Sequence, residues 1–463
     1  MSAYNDVVRP PLSMSTSTLD VRMGKRSVTR KVYLRGGTRL GIRFTVYHRL
    51  SALVILPNLG FMIYEISRGG RQQPMVCLNA VAANIAITVL IRQDHIINAL
   101  FWLVGEIPHW TPLWLRKHAA KLYHLGGIHS GAGIAAAVWY LFFNIAATYQ
   151  RSRNEPLDAE MKATIALCAL MDILLLQILI FSIPSIRSKF HNFWEQMHRF
   201  AGWLLLLCFW AFLTMYNVFD SREDTSTSLD ELFYLNPAFF LLSITTISIA
   251  LPWLRLRRVN VKAEPLSSHA VRLYFDYADV GPCKTPRFST NPLIEWHSFA
   301  SIPNEDAKGY SVLVSRAGDW TSYIIDNPPT TLWTRGRPAR GVLYMAKLFR
   351  TILCVGTGSG IAPILGLLTL PDLKVRILWS APDPQNTFGS DIMGMVLKAD
   401  SDAVIWDTKQ QSGRPDLVAL AMDIYTEGNI EAVFVISNAK VTANVVSGLE
   451  SQGVPAFGPI FDS

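Results

Sequence analysis

The chain has 463 residues, half of them hydrophobic and only 17% charged, with a formal net charge of +8. Soluble domains average about 25% charged residues, so this composition points to membrane segments. The five cysteines (77, 168, 208, 283 and 354) show no C-x-x-C spacing, which excludes a disulfide framework and a zinc site.

Residues 1–39 carry eight Lys or Arg against two Asp, so most of the net charge sits in this arm. A basic arm beside a first membrane span reads as a disordered cytoplasmic flank held near anionic lipid headgroups, not as a nucleic-acid site. Pro10, Pro11 and a Ser/Thr-rich stretch precede any apolar run, so no cleavable signal peptide is expected.

About 20 apolar residues in helix cross a bilayer core. Residues 40–256 contain six such stretches, near 44–66, 74–92, 123–149, 163–183, 200–219 and 232–254. The apolar piece from Ile96 to Gly105 is short for a span and is expected in the membrane interface. Basic residues flank one set of ends: Arg116, Lys117 and Lys121, then Arg187, Lys189 and Arg199, then Arg255, Arg257 and Arg258. The positive-inside rule therefore predicts an integral membrane protein with both termini cytoplasmic. His124 and His198 are the one well-placed candidate pair of axial haem ligands; fourteen residues further along, Val138 and Phe212 cannot ligate iron. His129, five residues from His124, is expected to point elsewhere, and Gly127 and Gly131 form a G-x-x-x-G packing pattern around it. His129 and Asp172 are polar groups in apolar spans and so candidate sites.

After Lys262 the period changes. Val271, Leu273 and Phe275 alternate with polar residues, 311–315 reads as another short strand, and frequent Pro and Gly suggest a small antiparallel barrel over 257–345. Over 346–463 strands and helices alternate: strands at 351–355, 375–380, 403–407 and 432–437, helices at 361–370, 417–425 and 441–452, a parallel α/β module. The apolar run into Gly356-Thr357-Gly358-Ser359-Gly360 leaves two readings open. It is either a pyrophosphate-binding loop at a helix start or a bare strand-to-helix turn.

Six apolar helices, a barrel and a nucleotide fold in that order resemble the ferric reductase and NADPH oxidase superfamily. Three local matches carry the resemblance: Glu295-Trp296-His297-Ser298-Phe299-Ala300 against its His-Pro-Phe-Thr motif, with Ser298 in place of the proline; Gly318-Asp319-Trp320-Thr321; and the glycine loop from Gly356 through Pro363. A closer similarity is to fungal TmpA-like membrane flavoproteins, through Gly126–Gly131, the Glu-Trp-His element, Gly413-Arg414-Pro415-Asp416 and the ending Gly458–Ser463. The soluble part of that group resembles tails on some fungal adenylate-forming proteins.

The resemblance implies a ferredoxin reductase-like fold, with an FAD-binding barrel and an NAD(P)-binding domain. Trp296, His297, Ser298, Phe299, Gly318, Trp320 and Thr321 would then serve the flavin. Gly356, Thr357, Gly358, Ser359, Gly360, Pro363, Arg414 and Asn438 would serve NAD(P)H, and Ser437 and Phe461 the catalytic centre. Ser437-Asn438 stands where relatives carry Cys-Gly. The expected function is a membrane oxidoreductase passing electrons from NAD(P)H through FAD to a small acceptor, without the two-haem wire. Two alternatives remain: a weakly active membrane sensor or scaffold, and a single-haem metalloreductase or oxidase using His124 and His198.

Overall fold

The computed structural model describes residues 45–68, 74–151, 159–223, 233–304, 308–411 and 413–460. The basic arm and Phe461 lie outside them. All of the described residues belong to one unit, Gly36–Ser463.

The first half is helical where long apolar runs allow every backbone group inside the run to be bonded within the helix. Its long helices are α1 (Val46–Ser67), α2 (Pro74–Leu90), α5 (Gly126–Arg151), α6 (Ala159–Ser182), α8 (His191–Glu223) and α9 (Pro237–Ala250). Between α2 and α5 lie α3 (Asp94–Gly105) and α4 (Leu113–Ala119), and α7 (Pro184–Lys189) precedes α8. Five helices are long and apolar enough to cross a membrane, or six when α2 and α3, bent by 68°, count as one broken span. The interior is aromatic and aliphatic, built on buried Trp139, Tyr140, Phe209 and Leu213. Some of its polar groups are paired: Asn84 and Trp139 both donate to the Asn58 side-chain carbonyl at 2.7 and 2.9 Å, and Asn144 donates to Asp172 at 2.9 Å.

The glycine pattern at 127 and 131 lets α5 lie directly on α1. A Cβ at Gly127 would stand 2.2 Å from the Tyr47 carbonyl oxygen, and one at Gly131 2.8 Å from that of Ser51. Ser51 Oγ uses the close approach to donate to the Gly127 carbonyl at 2.8 Å.

The barrel consists of two four-stranded antiparallel sheets and a two-stranded one. One sheet has the order β1 (Arg257–Asn260), β9 (Thr331–Thr334), β5 (Arg287–Ser289), β6 (His297–Ser298). The other runs β2 (Lys262–Pro265), β3 (Ala270–Phe275), β8 (Tyr310–Ser315), β7 (Ile302–Pro303). The two-stranded sheet pairs β4 (Lys284–Thr285) with β10 (Ala339–Arg340). The sheets close on Phe275 and Phe288, whose rings stack at 4.4 Å. Helix α10 (Asp319–Asp326), which the alternating pattern did not announce, covers one side through Trp320 and Ile324.

The last module is a five-stranded parallel sheet in the order β13 (Val404–Asp407), β12 (Lys374–Ala381), β11 (Thr351–Thr357), β14 (Ala432–Ile436), β15 (Ala456–Phe457). Its helices are α11 (Ile361–Leu367), α12 (Pro384–Ala399), α13 (Leu417–Glu427) and α14 (Ala439–Glu450). Helix α12 escaped the sequence reading because Gly389, at φ +87°, breaks its helical geometry. Strand β11 is central, its residues Ile352–Gly356 buried by neighbours on both edges.

The segment from α3 to α5 joins the helical half to the other modules. Asp94, 2% exposed, accepts from Arg287 at 2.8 Å and from the Arg337 N–H at 3.1 Å. The Asn98 carbonyl oxygens take the Arg340 N–H at 2.9 Å and its guanidinium at 2.6 Å. Phe101, Ala120 and Leu125 enter the same core as Leu343, Tyr344 and Phe349.

Candidate functional site

In an open parallel sheet, ligands bind beyond the carboxyl ends of the strands where the order reverses. Here that point lies between β11 and β14, and the glycine loop occupies it. Gly360 crosses so close to β14 that a Cβ there would meet the Ile436 carbonyl oxygen at 2.1 Å. Gly358 has φ +52° and open space where a Cβ would stand, which is a cradle that a side chain would fill. Trp379 Nε1 donates to the Gly358 carbonyl at 2.9 Å, fixing the loop from β12.

Two hydroxyls meet across this switch point, Thr357 Oγ1 bonding Ser437 Oγ. Asn438 caps α14 by accepting from the Val441 N–H at 3.0 Å. Beyond β13, Gly413 at φ +92° makes a turn whose carbonyl accepts from Trp406 Nε1 at 2.9 Å. That turn sets exposed Arg414 on the rim, while Asp416 caps α13.

These groups line one cleft of about 1220 Å³ between the parallel sheet and the barrel. It brings together Thr357, Gly358, Ser359, Gly360, Pro363, Arg414, Ser437 and Asn438 with Ser298 from the barrel wall. Gly356 lies just behind, packed on Ile364.

The other barrel residues singled out from the sequence stand elsewhere. Side chains alternate along an extended segment, so Ser298 and Ala300 face the cleft while His297 and Phe299 turn the other way. His297 stacks on Trp320 at 4.2 Å and Phe299 follows at 5.7 Å. His297 Nε2 lies 3.3 Å from Glu295, within the barrel's aromatic packing. Thr321 Oγ1 accepts from the Ala317 and Gly318 N–H groups, both at 2.9 Å, which orders the start of α10 beside cleft residues Arg316 and Ala317. Trp296 turns toward the helical half, where the Arg335 guanidinium is sandwiched 4.4 Å from its ring and 4.3 Å from that of Trp253. Burial first, then Arg287 and Arg199, push the Arg335 pKa down to about 9.

The histidines pair differently from expectation. The ring 6.2 Å from His198 is that of His129, whose Nδ1 lies 2.9 Å from the Thr88 carbonyl, whereas His124 stacks on Tyr123 at 4.5 Å. The helical count of five residues fails because 120–124 is a 3₁₀ turn and α5 begins only at Gly126. One level deeper, Phe143 and Phe212 fill the bundle in an edge-on contact at 5.4 Å.

Other cleft residues gave no sequence motif: Thr285, Cys283 and Thr408. Thr408 was findable, since it follows the carboxyl end of a parallel strand. Cys283 was not; it takes φ +56° at a turn, and burial raises its thiol pKa well above the ordinary range.

The family model for the C-terminal domain of adenylate-forming reductase 03009 matches residues 342–463. Two proteins of Coprinopsis cinerea are similar to the chain over 91% of its length: adenylate-forming reductase 03009, 40% identical over 427 residues, and adenylate-forming reductase 06235, 41% identical over 428. In both cases the chain spans 40% of the relative's own length. Among solved structures, a ferredoxin NADP+ reductase from Neisseria gonorrhoeae with bound FAD and NADP aligns at TM-score 0.37 and 12% identity, covering 44% of this chain and 99% of that one. A flavohemoglobin from Malassezia yamatoensis with bound FAD and heme aligns at TM-score 0.38 and 14% identity, covering 84% of this chain and 98% of that one.

Proposed function

We propose that the chain is a membrane-anchored flavoprotein oxidoreductase, taking hydride from NAD(P)H onto FAD and passing electrons to a small acceptor reached from the cytoplasmic side. The observation that carries the reading is the cleft itself, which sets a glycine loop at a sheet switch point opposite a barrel wall. The reductase names of the relatives similar to most of the chain support redox chemistry. The run of long apolar helices supports a membrane anchor, and the basic loops between them support cytoplasmic termini.

The residues fit a dinucleotide. The open space at Gly358 admits a pyrophosphate to the backbone, and Ser359 and Thr357 offer hydroxyls beside it. Arg414 on the rim is placed for an adenosine phosphate, through its planar fork. Ser298, Thr285 and the Ala317 corner of α10 form the wall that would hold the flavin. When bound, the two cofactors supply hydride transfer, and the protein's work is to align them. The Thr357–Ser437 hydroxyl pair sits where the parallel sheet faces the barrel, and it ties the carboxyl end of β11 to that of β14.

The test is an anaerobic absorption spectrum of the detergent-purified protein before and after NADPH or NADH. Oxidised flavin that bleaches with either nucleotide, without a haem band, is the expected result. Bound flavin that stays oxidised would overturn the enzyme reading in favour of a sensor or scaffold, and a haem band would favour the single-haem alternative, with His129 and His198 as the ligands to mutate.

A further inference from the structure

A second cavity, of about 520 Å³, lies away from the cleft, where the last apolar helix hands the chain to the barrel. Its lining starts with Leu254, Arg255, Leu256 and Arg257 and is completed by Tyr277, Asp279 and Lys284 with Gly336 and Pro338. Charge in it does not balance. Arg255, Arg257 and Lys284 face it, and none of the three has a carboxylate partner among the described residues. Arg257 lies over the Tyr277 ring at 4.6 Å, which orients the guanidinium without neutralising it.

The carboxylates nearby are otherwise engaged. Asp279 accepts from the Gly309 N–H at 2.7 Å, and Asp94, behind Gly336, is held by Arg287 and the Arg337 N–H. Arg337 and Arg340 stand close enough to Lys284 to oppose its charge, adding to the effect of burial, and together they lower its pKa. Buried Arg340 Nε has no hydrogen-bond partner. A half-buried hollow lined by three cations and one committed carboxylate favours an anion, and phosphate oxygens match guanidinium and ammonium donors.

The position argues for the source. The rim residue Leu254 is 78% exposed and sits in the 3₁₀ turn directly after α9, so the hollow opens at the level where an apolar helix ends. Basic groups just cytoplasmic of a membrane helix are where anionic headgroups collect.

We infer that the cavity at Arg255, Arg257 and Lys284 binds a phosphate group, supplied by the headgroup of an anionic membrane lipid whose chains lie along Leu254 and α9. The lipid source rests on the membrane reading above, whereas the phosphate site does not.

The test uses the full chain in detergent, with thermal midpoint and native mass spectrometry as readouts. Phosphatidate, phosphatidylcholine and inorganic phosphate are added separately. Phosphatidate is expected to raise the midpoint and to be retained as one tightly bound copy, at least about tenfold more tightly than in Arg257→Gln/Lys284→Gln. Lys284→Gln alone serves if the double variant fails to fold, and Lys374→Gln, exposed and remote, is the control for net charge. A shift of equal size in the native chain and the variants, or no preference for phosphatidate over phosphatidylcholine, would overturn the site. The full shift from inorganic phosphate alone would keep the phosphate site and overturn the lipid source. NAD(P)H-driven bleaching, read on the same samples, separates a failure of this site from a failure of the redox reading.

Discussion

Arg116 and Glu431 form a two-pronged ion pair, Nη1–Oε2 at 2.8 Å and Nη2–Oε1 at 3.2 Å, joining the α3–α4 segment of the helical half to the start of β14. The same guanidinium donates to the carbonyls of Thr111 and Leu348 at 2.8 and 2.7 Å, so its Nε and both Nη atoms are engaged. With Arg116 only 4% exposed, removing Glu431 leaves a buried guanidinium without its counter-charge.

Arg116→Ala should destabilise the fold by about 2 kcal/mol, through loss of charge-assisted hydrogen bonds to a partly exposed carboxylate. Burial raises the Glu431 pKa, but bonds from Arg116 and the Arg350 N–H outweigh it and the net direction is down. A carboxylate depressed in the folded state contributes stability that is complete above its unfolded pKa and is lost as pH falls through the folded one. Thermal midpoints measured downward from pH 6 should fall below about pH 4.5, with a shallower fall in Glu431→Gln.

Gly358→Ala places a side chain at φ +52° and into the cradle. Backbone strain of about 1 kcal/mol is expected, but the diagnostic effect is on the nucleotide. Stopped-flow bleaching by NAD(P)H should slow more than about tenfold, equivalent to 1.4 kcal/mol, while flavin content per protein stays unchanged.

Ser437→Ala removes one member of the hydroxyl pair with Thr357. Loss of one hydrogen bond costs about 1 kcal/mol, so stability should change little. Hydride transfer should slow severalfold, with the apparent affinity for nucleotide nearly constant. An unchanged bleaching rate would remove Ser437 from the reaction.

Gly131→Val should be among the most damaging single changes in the helical half, because its Cβ has no room beside the Ser51 backbone. Overpacking costs about 1–3 kcal/mol or more. The thermal midpoint should fall well below that of Gly133→Ala, whose added carbon meets nothing within 4 Å.

Local pattern decided what local physics controls. Continuous apolar runs dictated the long helices, although α8 begins nine residues before the expected 200 and takes in His191 and His198. Period-two alternation marked β3, a short apolar run marked β8, and glycines at 356, 358 and 360 marked the turn from β11 into α11. Each is a matter of neighbours within a few residues, where backbone geometry and burial act directly on the chain.

What only the tertiary structure decided involves partners far apart in sequence. Strand alternation sent Ser298 to the cleft and His297 onto Trp320, a difference set by how β6 pairs with β5. The 3₁₀ turn before α5 rotated His129, not His124, toward His198. Arg335 finds Trp253 and Trp296, and Arg116 finds Glu431 across 315 positions. No periodicity encodes such pairs, because their energy comes from burial and charge compensation that exist only once the modules have docked.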